Sequence, residues 1–154
     1  MAFWDKILFG IKKDKITDKR DFYVSLSNNR KNIVQGEKLN CFGTALYLVG
    51  AKDKDKYSFP DDTDFFKKSI QSKNPGVGYV VGWIDNSKNI YHVAVITGIN
   101  PLTVSTRNGL GRPFLPKEKF DDVDKFYRNV SDFKEIKYFI PSKLQKILDM
   151  GAQN

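Results

Sequence analysis

One stretch decides the fold that we predict for this chain: residues 39–50 read Leu-Asn-Cys-Phe-Gly-Thr-Ala-Leu-Tyr-Leu-Val-Gly. Its apolar residues recur with helical spacing, and Gly50 suits the left-handed conformation that often ends a helix. A helix that is apolar around most of its circumference is usually buried, so we expect a central helix that begins at Cys41. At the positive end of a helix dipole a thiolate is stabilised, which lowers the pKa of its thiol.

Cys41 is the only cysteine among the 154 residues, and His92 is the only histidine. A free cysteine often packs in a core as a small hydrophobic residue, and a lone histidine on a strand is ordinarily a core residue too. A predicted strand at 90–99 holds four residues on one face: Ile90, His92, Ala94 and Ile96. A cysteine at a helix start and a histidine near a strand start can also meet. The imidazole would then take the thiol proton and later protonate a leaving amine.

Three segments resemble the NlpC-type branch of the papain-like cysteine peptidases: 40–46 around Cys41, 91–98 around His92, and 104–114. The resemblance covers residues 39–140. It implies a papain-like α+β fold in which the Cys41 helix packs on an antiparallel sheet, and a catalytic pair of Cys41 and His92. Most members cleave amide bonds in cell-wall peptides, and others are secreted effectors or lipid-handling acyltransferases. In the acyltransferases related to lecithin–retinol acyltransferase the histidine precedes the cysteine, so the order found here favours the peptidases.

The resemblance also implies a third polar residue that orients the imidazole from the next strand. The matching position is Thr106, whose hydroxyl can accept a hydrogen bond but carries no charge. Asn108 lies two residues further on the same strand face, and an amide oxygen serves this role in Cys-His-Asn arrangements. We expect Thr106 or Asn108 to orient His92, although both residue types are also common at the edges of turns.

For the oxyanion hole we expect the backbone N–H of Cys41 and one side-chain donor. Gln35 precedes Cys41 with a spacing similar to that of the glutamine in papain. Tyr23 matches the upstream tyrosine that NlpC-like enzymes use more often. Both residue types are also common on loop surfaces, so the choice between these interpretations stays open.

The remaining patterns predict one domain that spans 1–154. Residues 14–38 are polar and predict a loop with at most one short strand or helical turn, and 109–116 predict a second loop. The predicted helices, besides the one at Cys41, lie at 1–13, 62–71, 117–127 and 142–150. The predicted strands lie at 76–84, 90–99, 102–108 and 135–140, and the first three form an antiparallel meander. The fold class is therefore α+β.

The net charge is +8, from 26 Lys and Arg against 18 Asp and Glu. This charge favours an anionic partner such as a cell-wall polymer, nucleic acid or a membrane surface. The amphipathic helix at 1–13 could lie on such a membrane, although docking onto the protein's own core is the commoner use of a short terminal helix. The alternating charges at 52–56 are more typical of a solvated face. Six aromatic residues alternate with lysines: Tyr57, Phe59, Phe65, Phe66, Phe120 and Tyr127. Surfaces that bind nucleic acid sometimes show this pattern, but such residues more commonly face the core.

We therefore expect a cysteine peptidase or amidase that cleaves an amide bond in peptidoglycan-type peptides. The same residues fit a toxin-like effector protease that acts on a host protein. The competing class is a catalytically inactive basic module that binds nucleic acid or anionic lipid. One cysteine and one histidine do not supply the usual zinc ligands, so we expect no metal site. We also expect a monomer without a cofactor. We find no signal peptide, which predicts a cytoplasmic protein or export by a signal-independent route.

Overall fold

The computed structural model describes residues 18–33, 35, 39–60 and 64–152, which form an α+β fold. The described helices are α1 (Lys19–Lys31), α2 (Cys41–Leu48), α3 (Phe65–Lys68), α4 (Phe120–Arg128) and α5 (Ser142–Ala152). The strands are β1 (Ile70–Ser72), β2 (Val80–Asp85), β3 (Ile90–Gly98), β4 (Thr103–Arg107), β5 (Phe114–Lys119) and β6 (Phe133–Ile140). None of these five helices has the length and apolarity that a membrane crossing requires. The helix predicted at 1–13 lies outside the described residues.

The six strands form one antiparallel sheet in the order β1-β6-β2-β3-β4-β5. The meander predicted from the short connections is confirmed, because β2, β3 and β4 are consecutive neighbours. β3 lies inside the sheet, and its residues 93–96 are completely buried. This accounts for its continuous apolar sequence, since a strand that is covered on both faces needs apolar side chains on both.

Alternation along β3 divides the buried residues into two cores, one on each face of the sheet. Val93 and Val95 pack with apolar residues of α1, α2 and α5. Ala94 and Ile96 pack on the other face with Trp83 and with residues of α4. The helix that begins at Cys41 therefore covers one face of β3, and α4 covers the opposite face.

The predicted common face of Ile90, His92, Ala94 and Ile96 is wrong for its first residue. The β2–β3 register shifts between two pairs, Trp83 with His92 and Ile84 with Ile90. An irregularity of this kind inserts a residue and turns the side chains beyond it to the other face. Ile90 accordingly packs against the core that contains Val93 and Val95.

Helix α1 corrects the loop predicted at 14–38. Asp18 caps the helix by accepting a hydrogen bond from the Asp21 N–H at 2.7 Å. Phe22, Leu26 and Asn29 are buried along one side. The polar composition hid these widely spaced positions, and packing against the core rather than helix propensity stabilises the segment.

Two further predictions around the sheet are wrong. The helix predicted at 62–71 is only one turn in the described residues, because Ile70–Ser72 is a strand that pairs with β6. The loop predicted at 109–116 ends earlier, at the start of β5. Pro113 and Pro116 argued against a strand there, but β5 is an edge strand, where the missing N–H of a proline need not interrupt pairing.

Candidate active site

The start of α2 is fixed by the side chain of Asn40. Its Oδ1 accepts hydrogen bonds from the N–H groups of Gly43 and Ser58, both at 3.1 Å. Its Nδ2 donates to the Ser58 carbonyl at 2.6 Å. Asn40 thus caps the helix and at the same time binds the loop of residues 51–60. Through these bonds to the helix and to the loop, Asn40 fixes the backbone next to Cys41.

Gly43 allows that loop to lie directly on the helix. A Cβ atom at this position would be 1.6 Å from the carbonyl oxygen of Lys56. Only glycine permits such close backbone packing, because any side chain would occupy the space of the carbonyl group. The small residue two positions after Cys41 is therefore a packing requirement of the site.

The Cys41 thiol is buried, with 6% of the residue exposed. The backbone N–H groups of Val93, Phe42 and Cys41 itself form hydrogen bonds to the sulfur, and these lower the pKa. Loss of hydration has the larger effect and raises the pKa of the thiol to about 11. The expected lowering of the pKa by the helix dipole is thus wrong for this structure, because burial outweighs the favourable N–H groups.

Strands β3 and β4 separate beside the thiol. The paired residues of the two strands run from Val95–Ser105 to Gly98–Thr103. Val93 precedes the first of these pairs and is not paired with β4. The Val93 N–H bonds to the Cys41 sulfur, and its carbonyl accepts a hydrogen bond from Thr106 Oγ1 at 3.0 Å. Thiol and hydroxyl therefore meet at the backbone of the residue that follows His92.

Thr106 also contacts the imidazole: its Oγ1 lies 3.0 Å from His92 Nε2. The hydroxyl has one proton, and the Val93 carbonyl can only accept one. When the hydroxyl donates this proton to Val93, its oxygen accepts from Nε2–H, and we assign this tautomer to His92. The same geometry leaves Nδ1 with the lone pair. Of the two orienting residues expected from the sequence, the structure places Thr106 on His92.

His92 is almost completely buried, with 1% exposed, and burial lowers the pKa of its imidazole to about 3. Both members of the expected catalytic pair are therefore neutral near pH 7 in this conformation. A thiolate–imidazolium pair would have to be created in a dehydrated environment, which costs free energy for each charge. These surroundings therefore do not favour an ion pair in the resting state.

An aromatic pair encloses the imidazole on the α4 side of the sheet. Tyr127 stacks flat on it, with ring centroids 3.6 Å apart and planes at 7°. Trp83 lies opposite His92 on the neighbouring strand β2, and the centroids of their rings are 5.2 Å apart. This role of Tyr127 was not predicted from the sequence. Its spacing of four and seven residues from Val123 and Phe120 marks the buried side of an amphipathic helix, and this signal was available.

The other predicted site residues have different partners. Asn108 Oδ1 accepts a hydrogen bond from the Tyr127 hydroxyl at 3.1 Å, so it reaches the imidazole only through Tyr127. Gln35 Oε1 accepts from the Phe114 N–H at 3.3 Å and from Arg107 at 3.5 Å. Tyr23 lies on α1 with 38% exposed, in edge-to-face contact with Phe22. These partners of Gln35 and Tyr23 are neither Cys41 nor His92.

A buried ion pair supports the site from the side of α2. Arg107 is fully buried; it donates through NH2 to Asp55 Oδ2 at 2.9 Å and through Nε to Thr44 Oγ1 at 2.7 Å. Thr44 in turn donates to Asp55 Oδ1 at 2.8 Å. The prediction of a solvated face at 52–56 is therefore wrong for Asp55, whose partner is 52 residues away in the sequence.

The aromatic residues that alternate with lysines divide into two groups. Phe65, Phe120 and Tyr127 are buried and Phe66 packs against the core, as the core interpretation predicts. Tyr57 and Phe59 are exposed, with ring centroids 4.8 Å apart. Across the described ranges, no three His, Cys, Asp or Glu side chains come together in a way that could hold a metal ion.

No family model matches the sequence, and comparisons with curated proteins and with solved structures find no match.

Proposed function

We propose that this protein is a papain-like cysteine hydrolase of the NlpC type that cleaves an amide bond, with Cys41 as nucleophile and His92 as base and then acid. The observation that carries the proposal is the shared use of Val93. Its N–H bonds to the Cys41 sulfur, and its carbonyl accepts from the same threonine that holds His92 Nε2. The sulfur and the orienting hydroxyl thus both meet the backbone of Val93, the residue next to His92 in β3.

The reaction begins with both groups neutral. As the sulfur attacks the carbonyl carbon of the substrate, its proton passes to His92 Nδ1, the nitrogen that Thr106 leaves with a lone pair. The imidazolium then donates this proton to the leaving amine, and the carbon–nitrogen bond breaks to give a thioester. Water attacks the thioester, His92 takes a proton from the water, and the sulfur leaves with that proton. Thr106 holds Nε2–H throughout.

The negative oxygen of each tetrahedral intermediate needs hydrogen-bond donors. The N–H of Cys41, at the start of α2, is such a donor, because the first N–H groups of a helix have no partner within it. Gln35 and Tyr23 remain proposals for the second donor. Since Cys41 and His92 are buried, a carbonyl group reaches the sulfur only after side chains around the site have moved.

The substrate that we propose is an amide in an anionic, peptide-containing polymer of the peptidoglycan type. The support is the net charge of +8, which raises the local concentration of a negatively charged chain. Charge alone says nothing about the bond that is cleaved, so the chemistry of the site and the identity of the polymer are tested separately.

The burial of the catalytic pair favours one competing function: a basic binding module that retains the fold without activity. In that case Cys41 and His92 are core residues, and the positive charge binds nucleic acid or anionic lipid. Binding that depends on phosphates weakens steeply as salt rises from low to moderate concentration. An affinity for polyanions that does not change with salt would count against this function.

The decisive experiment follows alkylation of Cys41 by iodoacetamide in the folded protein between pH 5 and 9, in the wild type and in His92→Ala. General-base assistance predicts that the wild type reacts roughly a hundredfold faster than the variant near pH 7. Hydrolysis of peptidoglycan fragments is measured in parallel, with Cys41→Ser as the inactive control. A thiol that reacts only after unfolding means that Cys41 is a core residue and that the hydrolase proposal is wrong.

A further inference from the structure

The imidazole of His92 is held at one nitrogen and across one ring face. The hydrogen bond from Nε2–H to Thr106 fixes a single point, and rotation of the ring about that point would still be allowed. Tyr127 removes this freedom, because a ring 3.6 Å away in a nearly parallel plane blocks any tilt of the imidazole toward it. The two contacts together define both the position and the plane of the ring.

Tyr127 is itself anchored at two places. Its hydroxyl donates to Asn108 Oδ1 at 3.1 Å, at the end of β4. Its backbone carbonyl accepts a hydrogen bond from the Tyr91 hydroxyl at 2.7 Å. Tyr91 directly precedes His92 in β3. The strand that carries the imidazole therefore also fixes Tyr127, the residue of α4 that covers the imidazole.

We propose that Tyr127 is a positioning residue for His92: its ring holds the imidazole in the plane in which Nδ1 receives the thiol proton. The role rests on the proposed function, which supplies the proton transfer. It extends that function to a residue of α4 and gives Asn108 an indirect role, because its amide oxygen binds the Tyr127 hydroxyl rather than the histidine.

The stacked ring also favours the charged form that appears during the reaction. An imidazolium against the face of a tyrosine is stabilised by the electrons of the aromatic ring. Among the ionisable groups on the packed elements, Tyr127 of α4 stacks on the imidazole. Burial raises the pKa of the Tyr127 hydroxyl, and the Cys41 thiol of α2 is close enough to raise it further. Beyond Trp83 lies Asp124, which accepts from Trp83 Nε1 at 3.0 Å and is paired with Arg128 at 2.8 Å.

The test uses the fact that the chain has one histidine, so that its imidazole NMR signals need no further assignment. The stacked Tyr127 ring should shift the imidazole proton signals upfield in the wild type. We expect Tyr127→Leu to lose this shift and to slow Cys41 alkylation at pH 7 by about tenfold, less than the roughly hundredfold cost of a 1 Å misplacement. Lys125→Leu, on an exposed residue of the same helix, is the control and should change neither measurement.

Two milder variants cover the case in which Tyr127→Leu does not fold. Tyr127→Phe and Asn108→Ala each remove the hydroxyl anchor but keep the stacked ring, so each should shift the imidazole signals by a similar, smaller amount. Combining them should add little, because they remove the same hydrogen bond. Imidazole signals and a pH–rate profile that match the wild type in every folded variant would overturn the positioning role.

The same experiment separates this role from the proposed function. A wild-type thiol that is inert in the folded protein overturns the hydrolase proposal, and the positioning role with it. If the wild-type thiol reacts with help from His92 and the Tyr127 variants react at the same rate, the positioning role alone is overturned.

Discussion

At the scale of single residues, the surroundings of Cys41 and His92 favour the neutral form of both. Burial raises the pKa of the thiol to about 11 and lowers that of the imidazole to about 3. A nucleophile in this state depends on proton transfer during attack rather than on a thiolate formed beforehand. The orientation of the imidazole then matters more than the charge around it, and Thr106 becomes the residue to test.

Thr106→Val removes the acceptor of the Nε2–H while keeping the shape of the side chain. We expect the imidazole to lose its preference for the Nε2–H tautomer and the alkylation rate of Cys41 at pH 7 to fall roughly a hundredfold, the scale of general-base catalysis. Nitrogen NMR of the single histidine reports the tautomer directly. Thr106→Ser keeps the hydroxyl and should behave like the wild type. An unchanged tautomer in Thr106→Val would show that Thr106 does not orient His92.

At the scale of elements, the close contact between α2 and the loop of residues 51–60 determines where Cys41 lies. Gly43→Ala places a methyl group 1.6 Å from the Lys56 carbonyl oxygen, so the loop or the helix must move. We expect a loss of about 1–3 kcal/mol in the free energy of unfolding, as for other overpacked sites. Urea denaturation measures it.

The matched control for this prediction is Gly151→Ala. Gly151 is an exposed helical residue of α5, and an added Cβ meets no atom within 4 Å. There the substitution should stabilise the protein by up to about 1 kcal/mol, the difference in helix propensity between alanine and glycine. Equal effects of the two substitutions would contradict the close packing of α2 against the loop.

The helices and strands also show how far the sequence could predict the structure. Helix α2 was predictable because its capping residue, its apolar circumference and Gly50 all indicate the same element. β5 and α1 were not, since prolines and polar residues conceal a strand and a helix that are stabilised by distant partners. The same holds for the site. The strand pattern put His92 and Thr106 on adjacent strands and the family resemblance selected Thr106, whereas the position of Tyr127 depends on how α4 packs against the sheet.

At the scale of the whole molecule, one buried ion pair joins segments that are far apart in the chain. Asp55→Asn leaves the Arg107 guanidinium buried without its carboxylate. We expect a loss of about 3–5 kcal/mol, the usual cost of breaking a buried pair by removing one partner. Asp53→Asn, on an exposed residue of the same loop, should change the unfolding free energy by less than about 1 kcal/mol. A small effect at Asp55 would mean that the guanidinium finds another partner.

The dependence of stability on pH tests the burial of His92 for the entire fold. In the native state the imidazole has a pKa of about 3, against 6.5 when unfolded, so between these values only the unfolded chain binds the proton. The contribution of His92 is therefore complete above pH 6.5 and is lost as pH falls toward 3, with a slope of up to about 1.4 kcal/mol per pH unit. Other groups also titrate in acid, so the measured quantity is a difference. Urea denaturation of wild type and His92→Gln at pH 7 and pH 4.5 should show a smaller loss for the variant, because glutamine binds no proton. If both proteins lose the same free energy, the imidazole is hydrated in solution, and the enclosure by Thr106, Trp83 and Tyr127 does not persist.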